Sequence, residues 1–292
     1  MDETFRIFAS IATAIVIEAA PFLALGSLLS AVVEVFVSPE RIARFTPKGL
    51  LSRVALGVSA GVVLPTCECG VVPVARRLLK KGAPGSSVIA YLLAAPIVNP
   101  VVLASTYVAF RGSWLMVGAR AGVAVIVAGA VALLATRLLG SDLLRSRAGD
   151  DGHGDHAHAG SRLLHVWLHA ASDFLEMGKY LVLGACAAAA LKTFLPAETF
   201  GILEGSDVAA VSGMMVLAVL LSVCSEADAF VAASFVMFPA AAKLAFVTIG
   251  PMVDIKLLGL YAVTFKKTLF WKLVLVPLVL VFGLCLLFGV LA

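Results

Sequence analysis

Three thiols carry the first chemical signal in this chain. Two of them bracket a carboxylate in "LPTCECG" (64–70), as Cys67, Glu68 and Cys69; a third, Cys224, opens "CSEAD" (224–228). Thiolates are soft ligands suited to Cu(I), Zn(II) and other thiophilic species. A Cys-x-Cys turn places both sulfurs on one side, and Cys224 supplies a third from far along the chain. A buried free cysteine can also be a small hydrophobe, which is how Cys186 and Cys285, inside uniform apolar runs, are read. Carboxylates accompany the thiols in apolar sequence: Glu68, Glu226, Asp228 and Asp254, with Glu18 and Glu176 about a dozen residues into their own apolar runs. A charge at the bilayer centre costs about 2.5–3.5 kcal/mol on insertion scales, so such groups read by default as pathway or proton-relay residues. Asn99, between Pro96 and Pro100, offers an amide that binds substrate or caps a half-helix. The expected substrate-binding set is therefore Cys67, Glu68, Cys69, Asn99, Cys224 and Asp254, with the three thiols as candidate ligands for a soft metal or other thiophilic species. Glu18, Glu176, Glu226 and Asp228 are the expected proton-coupling set.

These groups must be positioned by apolar helices. Of 292 residues, 61% are hydrophobic and 14% charged. Many segments run about 20 residues with few charges, enough to cross a ~30 Å hydrocarbon core as helix. Alternating ten-residue strands of the barrel type are absent. The expected fold class is an all-α, multi-pass protein of the cell membrane. The net charge of +4 is modest and its basic residues sit in short loops, which argues against nucleic-acid binding. The start, "MDETFR", is acidic and the apolar run after it is too long for a signal peptide. Five cysteines lack disulfide-framework spacing. No P-loop or other nucleotide motif is found, so ATP is not the direct energy source unless a partner supplies it; no cofactor is expected, and the leading reading is not an enzyme.

Span-length helices are expected over 5–37, 84–110, 113–139, 164–195 and 268–291, with shorter apolar pieces at 51–64, 71–81 and 208–223, an apolar run at 229–250, and a sixth span returning to Lys266 and Lys267. "APIVNP" (95–100) should break the second span, because proline cannot sit in an unbroken helical ladder. Residues 41–53 read as a basic loop. The stretch 141–162, with His153, His156 and His158, reads as a cytoplasmic linker between membrane halves at 1–140 and 163–292. The second half echoes the first: "IEAAPFLALG" (17–26) matches "LEMGKYLVLG" (175–184), Cys67 matches Cys224 at an offset of 157, and "PIVN" (96–99) matches "PMVD" (251–254). Three landmarks in register indicate an internal duplication. Arg41, Arg44, Lys48, Arg53, Arg76, Arg77, Lys80 and Lys81 should face the cytoplasm. That orientation makes 51–81 a re-entrant hairpin, gives each half three spans plus a hairpin, and inverts one half relative to the other. Six spans plus two hairpins is the expected count; eight to ten full crossings is the alternative. Inverted repeats with broken helices meeting near the midplane are a recurring transporter plan.

The stretch 64–110 resembles the ArsP/YraQ-type predicted permeases. The residues that carry the likeness are Cys67, Cys69 and Gly70, then "VPVARRLLKKGAP" (72–84) and "AAPIVNPVVL" (94–103), with "SVCSEADAF" (222–230) as the matching motif of the second half. The resemblance implies a permease. Some characterised relatives expel trivalent organoarsenicals, and thiol capture of such a cargo would fall to Cys67, Cys69 and Cys224. Three functions stay open: a secondary transporter of a thiophilic solute or of small sulfur compounds, a membrane thiol–disulfide oxidoreductase using Cys67 and Cys69, and a channel or membrane subunit of a larger assembly. The expected partners are the bilayer, a small-molecule or metalloid substrate, and a second copy in a homodimer.

Overall fold

The computed structural model describes residues 2–36, 38–64, 66–139, 143–144, 162–194 and 206–291; the linker histidines, Glu198 and Glu204 lie outside them. The secondary structure is helical throughout the described residues, apart from one isolated bridge between Leu144 and Phe265. The first half contains α1 (Asp2–Phe36), α2 (Pro39–Phe45), α3 (Leu50–Val63), α4 (Glu68–Lys80), α5 (Gly85–Val98), α6 (Pro100–Ala109) and α7 (Trp114–Leu139). The second contains α8 (Arg162–Phe194), α9 (Asp207–Leu221), α10 (Asp228–Ser234), α11 (Ala240–Ile249), α12 (Ile255–Thr264) and α13 (Lys267–Leu291).

Helix breaks fall where residue chemistry demands them. Asn99 ends α5 and caps α6, its Oδ1 accepting from Val101 N at 3.0 Å, with Pro100 at the first helical position. Proline fits there because that N–H has no helical partner anyway. Asp254 does the same for α12, its Oδ1 accepting from Leu257 N at 2.6 Å. Pro96 sits inside α5, one turn before the break. Two elements depart from the sequence reading. The basic stretch 41–53 holds the short helix α2, started by Ser38 and Pro39. The apolar run 229–250 is two helices, divided ahead of Pro239, which precedes the first residue of α11. An apolar run shows no polar punctuation, so only the proline betrayed that joint.

Among the described residues, four stretches are long and apolar enough to cross a membrane: Glu3–Phe36, Gly85–Ala109, Trp114–Arg137 and Lys267–Leu291. Helix α8 is as long, but its first half carries His165, His169, Asp173, Glu176 and Lys179. It packs lengthwise on α1. Around this pair α3 packs on α5, α5 on α7, α9 on α11 and α7 on α13; α4 lies on α1, and α12 lies on α8. The outer faces carry exposed Ile17, Leu25, Ile126, Leu275, Val279 and Leu287, as a bilayer-facing surface requires.

Candidate functional site

Two short helices aim their N-termini at one buried point. Helix α4 begins at Glu68, with Cys67 as its N-cap, so the Cys-Glu-Cys-Gly stretch is the first turn of a helix rather than a turn between two. Helix α12 begins just after Asp254. Helix N-termini carry partial positive charge, which favours carboxylates there. The two helices pack against each other, and the non-helical segment between α9 and α10 passes beside them. Close approach is enforced by glycine: a Cβ on Gly26 of α1 would stand 2.3 Å from the Gly70 Cα of α4, and one on Gly184 of α8 would stand 2.9 Å from the Lys256 Cα of α12. Pro73 in α4 has no N–H to give the Cys69 carbonyl one turn back.

The point where they meet is ionic. The Lys256 Nζ lies 3.5 Å from Glu68 Oε1 and 3.4 Å from Asp254 Oδ2. Ser225 Oγ donates to Glu68 Oε2 at 3.0 Å and reaches Glu226 Oε2 at 3.5 Å. A second pair adjoins it: the Arg120 guanidinium of α7 meets Asp228 Oδ2 at 2.6 Å, donates to Thr106 Oγ1 at 2.6 Å, and reaches the Ser225 carbonyl at 3.5 Å. Glu68, Asp228, Asp254, Arg120 and Lys256 are all essentially inaccessible to solvent. Among the described residues, three buried carboxylates thus face two buried cations, one formal negative charge in excess. Among these residues Glu68 Oε1, Asp254 Oδ2 and Asp228 Oδ1 have no hydrogen-bond partner. Buried ions are costly to leave incompletely compensated, so a cluster of this kind can take up one positive charge.

The thiols ring this cluster. Cys67, Cys69 and Cys224 are buried and unbonded. Cys69 and Cys224 lie within electrostatic reach of Lys256 and Glu68, and Cys67 within reach of Glu68 and Glu226. Among the described residues, no three His, Cys, Asp or Glu side chains converge closely enough to hold a metal ion. Half-buried Glu226 feels both Glu68 and Glu18, and Glu18 is exposed on α1. Glu176, its counterpart by sequence echo, is engaged differently: it pairs with Arg76 at 3.0 Å. That pair belongs to a second ionic group at the other end of α4. Arg77 grips Asp173 through Nε at 3.2 Å and Nη2 at 2.8 Å, and stands 3.5 Å from Glu34. Ser30 Oγ donates to Asp173 at 2.9 Å and to the Pro73 carbonyl at 3.3 Å, and Lys81 Nζ donates to the Glu34 carbonyl.

Of the expected residues, Glu68, Asp254 and Asp228 stand in the cluster, with Cys67, Cys69, Cys224 and Glu226 around it. Asn99 acts as a helix cap. Replacing buried Asn99 by Ser, a neutral residue that keeps an accepting oxygen, should leave stability near wild type, whereas Asn99→Ala should cost about 0.5–2 kcal/mol. Thermal unfolding of both variants, read beside transport, separates capping from substrate binding: a capping role predicts that Asn99→Ser keeps both. Lys256, Arg120 and Ser225 were not singled out from sequence. Lys256 follows Asp254 by two residues and Arg120 is a lone charge in an apolar span; an isolated charge inside a span was the available signal.

The comparisons with known proteins agree with this architecture. The family model of the ArsP_1 "Predicted permease" family matches residues 4–292. The chain is 41% identical over 269 residues to "UPF0718 protein YcgR" of Bacillus subtilis (strain 168), covering 91% of each chain. It is 35% identical over 279 residues to a Streptococcus mutans protein named "Putative two-component membrane permease complex subunit", covering 94% of this chain and 93% of that one. No solved structure matches the chain. A match over nearly its whole length, on a bundle with several membrane-crossing helices, makes this chain a member of the ArsP_1 predicted permease family and a multi-pass membrane protein.

Proposed function

We propose that the chain is a secondary-active permease that exports a small thiophilic solute, a trivalent organoarsenical, metalloid or soft metal ion. The cargo is captured by Cys67, Cys69 and Cys224, helped by Glu68, Asn99 and Asp254. The membrane carboxylates, with Glu226 and Asp228 next to the cluster and Glu18 and Glu176 on the long helices, couple its movement to protons. The observation that carries this reading is the hydrogen bond between Ser225 and Glu68. These residues are 157 positions apart, the same offset that relates Cys224 to Cys67. Equivalent residues of two repeats touch where a pseudo-two-fold axis passes, so the bond favours two inverted repeats whose Cys-bearing tips meet at a central site. The element order supports the same plan: each half runs from a long helix through broken short ones to a long helix, with Asn99 and Asp254 at matching breaks. Alternating access then rocks one half against the other. In this conformation the thiols surround the cluster without converging, and cargo capture draws them together.

Uptake into everted membrane vesicles under an imposed proton gradient tests the reading. The panel is methylarsenite, arsenite, Zn(II), Cu(I) and glutathione, with glutathione standing for the alternative of a sulfur-compound carrier. Wild type is expected to take up one thiophilic cargo in a gradient-dependent way, and Cys67→Ser/Cys69→Ser and Asp254→Asn are each expected to lose at least tenfold. Uptake unchanged by the cysteine pair would remove the thiol site. The Streptococcus mutans relative is named as a subunit of a two-component complex. By analogy a second component, or a second copy of this chain, completes the transporter, and co-purification from native membranes tests which.

A further inference from the structure

We infer that the cavity beneath α2 is a binding site for one anionic glycerophospholipid, with an acyl chain inside and its phosphate against the arginines of α2. The cavity holds about 380 Å³ and is lined by Arg41 and Phe45 of α2, Ala60 of α3, Leu64 just past the end of α3, and Val88 and Tyr91 of α5. Its surface is almost wholly apolar, with the small side chain of Ala60 on its wall. Ser87, also on its wall, has a buried hydroxyl with no hydrogen-bond partner, as an ester carbonyl would supply.

The roof has the opposite chemistry. Helix α2 has no buried residue, and Phe45 is exposed. A short helix with exposed arginines and an exposed aromatic suits a membrane interface. Arg41 and Arg44 are exposed on it, Lys48 follows, and Arg53 stands half-buried with its Nε given to the Pro47 carbonyl. Four basic residues face one carboxylate, Glu40, over this stretch. A purely apolar occupant leaves the basic roof unmatched, and a free anion leaves the cavity empty. A phospholipid with a net negative headgroup answers both, because each basic residue near an anionic surface adds roughly fivefold to binding. The far end of the cavity touches function: the Tyr91 hydroxyl pairs with Thr66 Oγ1 at 3.0 Å, one residue before Cys67. The lipid therefore braces the break between α3 and α4.

The test is native mass spectrometry of the detergent-purified full chain, titrated with phosphatidylglycerol or phosphatidylcholine of the same acyl chains. Wild type is expected to retain one phosphatidylglycerol at collision energies that strip phosphatidylcholine. Arg41→Ala/Arg44→Ala, both at exposed positions, should weaken phosphatidylglycerol by roughly 25-fold and remove the preference. Ala60→Leu, which fills the cavity, should weaken both lipids together. Equal retention of the two lipids by wild type would overturn the site, as would retention of phosphatidylglycerol by Ala60→Leu at wild-type strength, which would put the lipid on the helix surface instead.

Discussion

Replacing Lys256 by methionine is expected to lower the stability of the folded chain by about 3–5 kcal/mol, the usual cost of stripping one partner from a buried ion pair. Among the described residues, Lys256 is the one ammonium facing both Glu68 and Asp254, and all three are shielded from water. Without it, Glu68, Asp254 and Asp228 face Arg120 alone, and the excess negative charge doubles. Adding Glu68→Gln to Lys256→Met returns the excess to its wild-type value, so the double variant should recover much of the lost stability. Because the two side chains are in contact, a double-mutant cycle on thermal unfolding in detergent reads their coupling directly. Additive losses would mean that the ammonium does not compensate Glu68. Gradient-driven flux should stay absent in the double variant, because Glu68, a member of the proposed cargo-binding set, is gone.

The second large effect is expected at Gly26. A single methyl there meets the Gly70 Cα at 2.3 Å and its carbonyl oxygen at 2.7 Å. Both obstacles are backbone, so no side-chain rotation relieves them, and α1 must move off α4. Overpacking a core costs about 1–3 kcal/mol where side chains can give. Here Gly26→Ala should reach the top of that range and Gly26→Val should abolish folded protein. Gly178→Ala, at a position with open space around its Cβ, is the control and should behave as wild type. The comparison is made by size-exclusion yield and thermal midpoint of the purified variants. A Gly26→Val protein that runs and melts like wild type would show that the two helices do not cross there.

Much of this architecture was legible because membrane helices advertise their interruptions. Proline beside Asn99, and Asp254 after "PM", mark breaks that the backbone obeys, and the thiols mark the two others that matter. The echo between halves was likewise readable from Glu18, Gly26, Glu176 and Gly184, although their fates differ: Glu176 binds Arg76, whereas Glu18 stays exposed. What escaped the sequence reading were the partners. Lys256 and Arg120 are single cations, and a lone basic residue reads equally well as a marker of a membrane edge. Only the folded chain brings α12 to α4, and α7 to the segment before α10. Glu34 and Asp173 were invisible for the same reason, since their roles depend on which helix the basic end of α4 lies against. Composition was also a poor guide to α8, where Asp173 and Glu176 pair with arginines of α4 rather than marking a loop.

The crossing at Gly26 and Gly70 divides α4 unequally. Glu68 lies two residues to one side, about 3 Å along the axis, and Arg77 seven residues to the other, about 10 Å. A rod turning on that fulcrum has a mechanical ratio of roughly three to one. A swing of about 3 Å at the arginines becomes about 1 Å at the carboxylate. That small stroke is enough to turn a 3.5 Å contact into a separated pair. Geared down in this way, a coarse motion at one face of the protein would arrive as a fine and forceful adjustment at its centre.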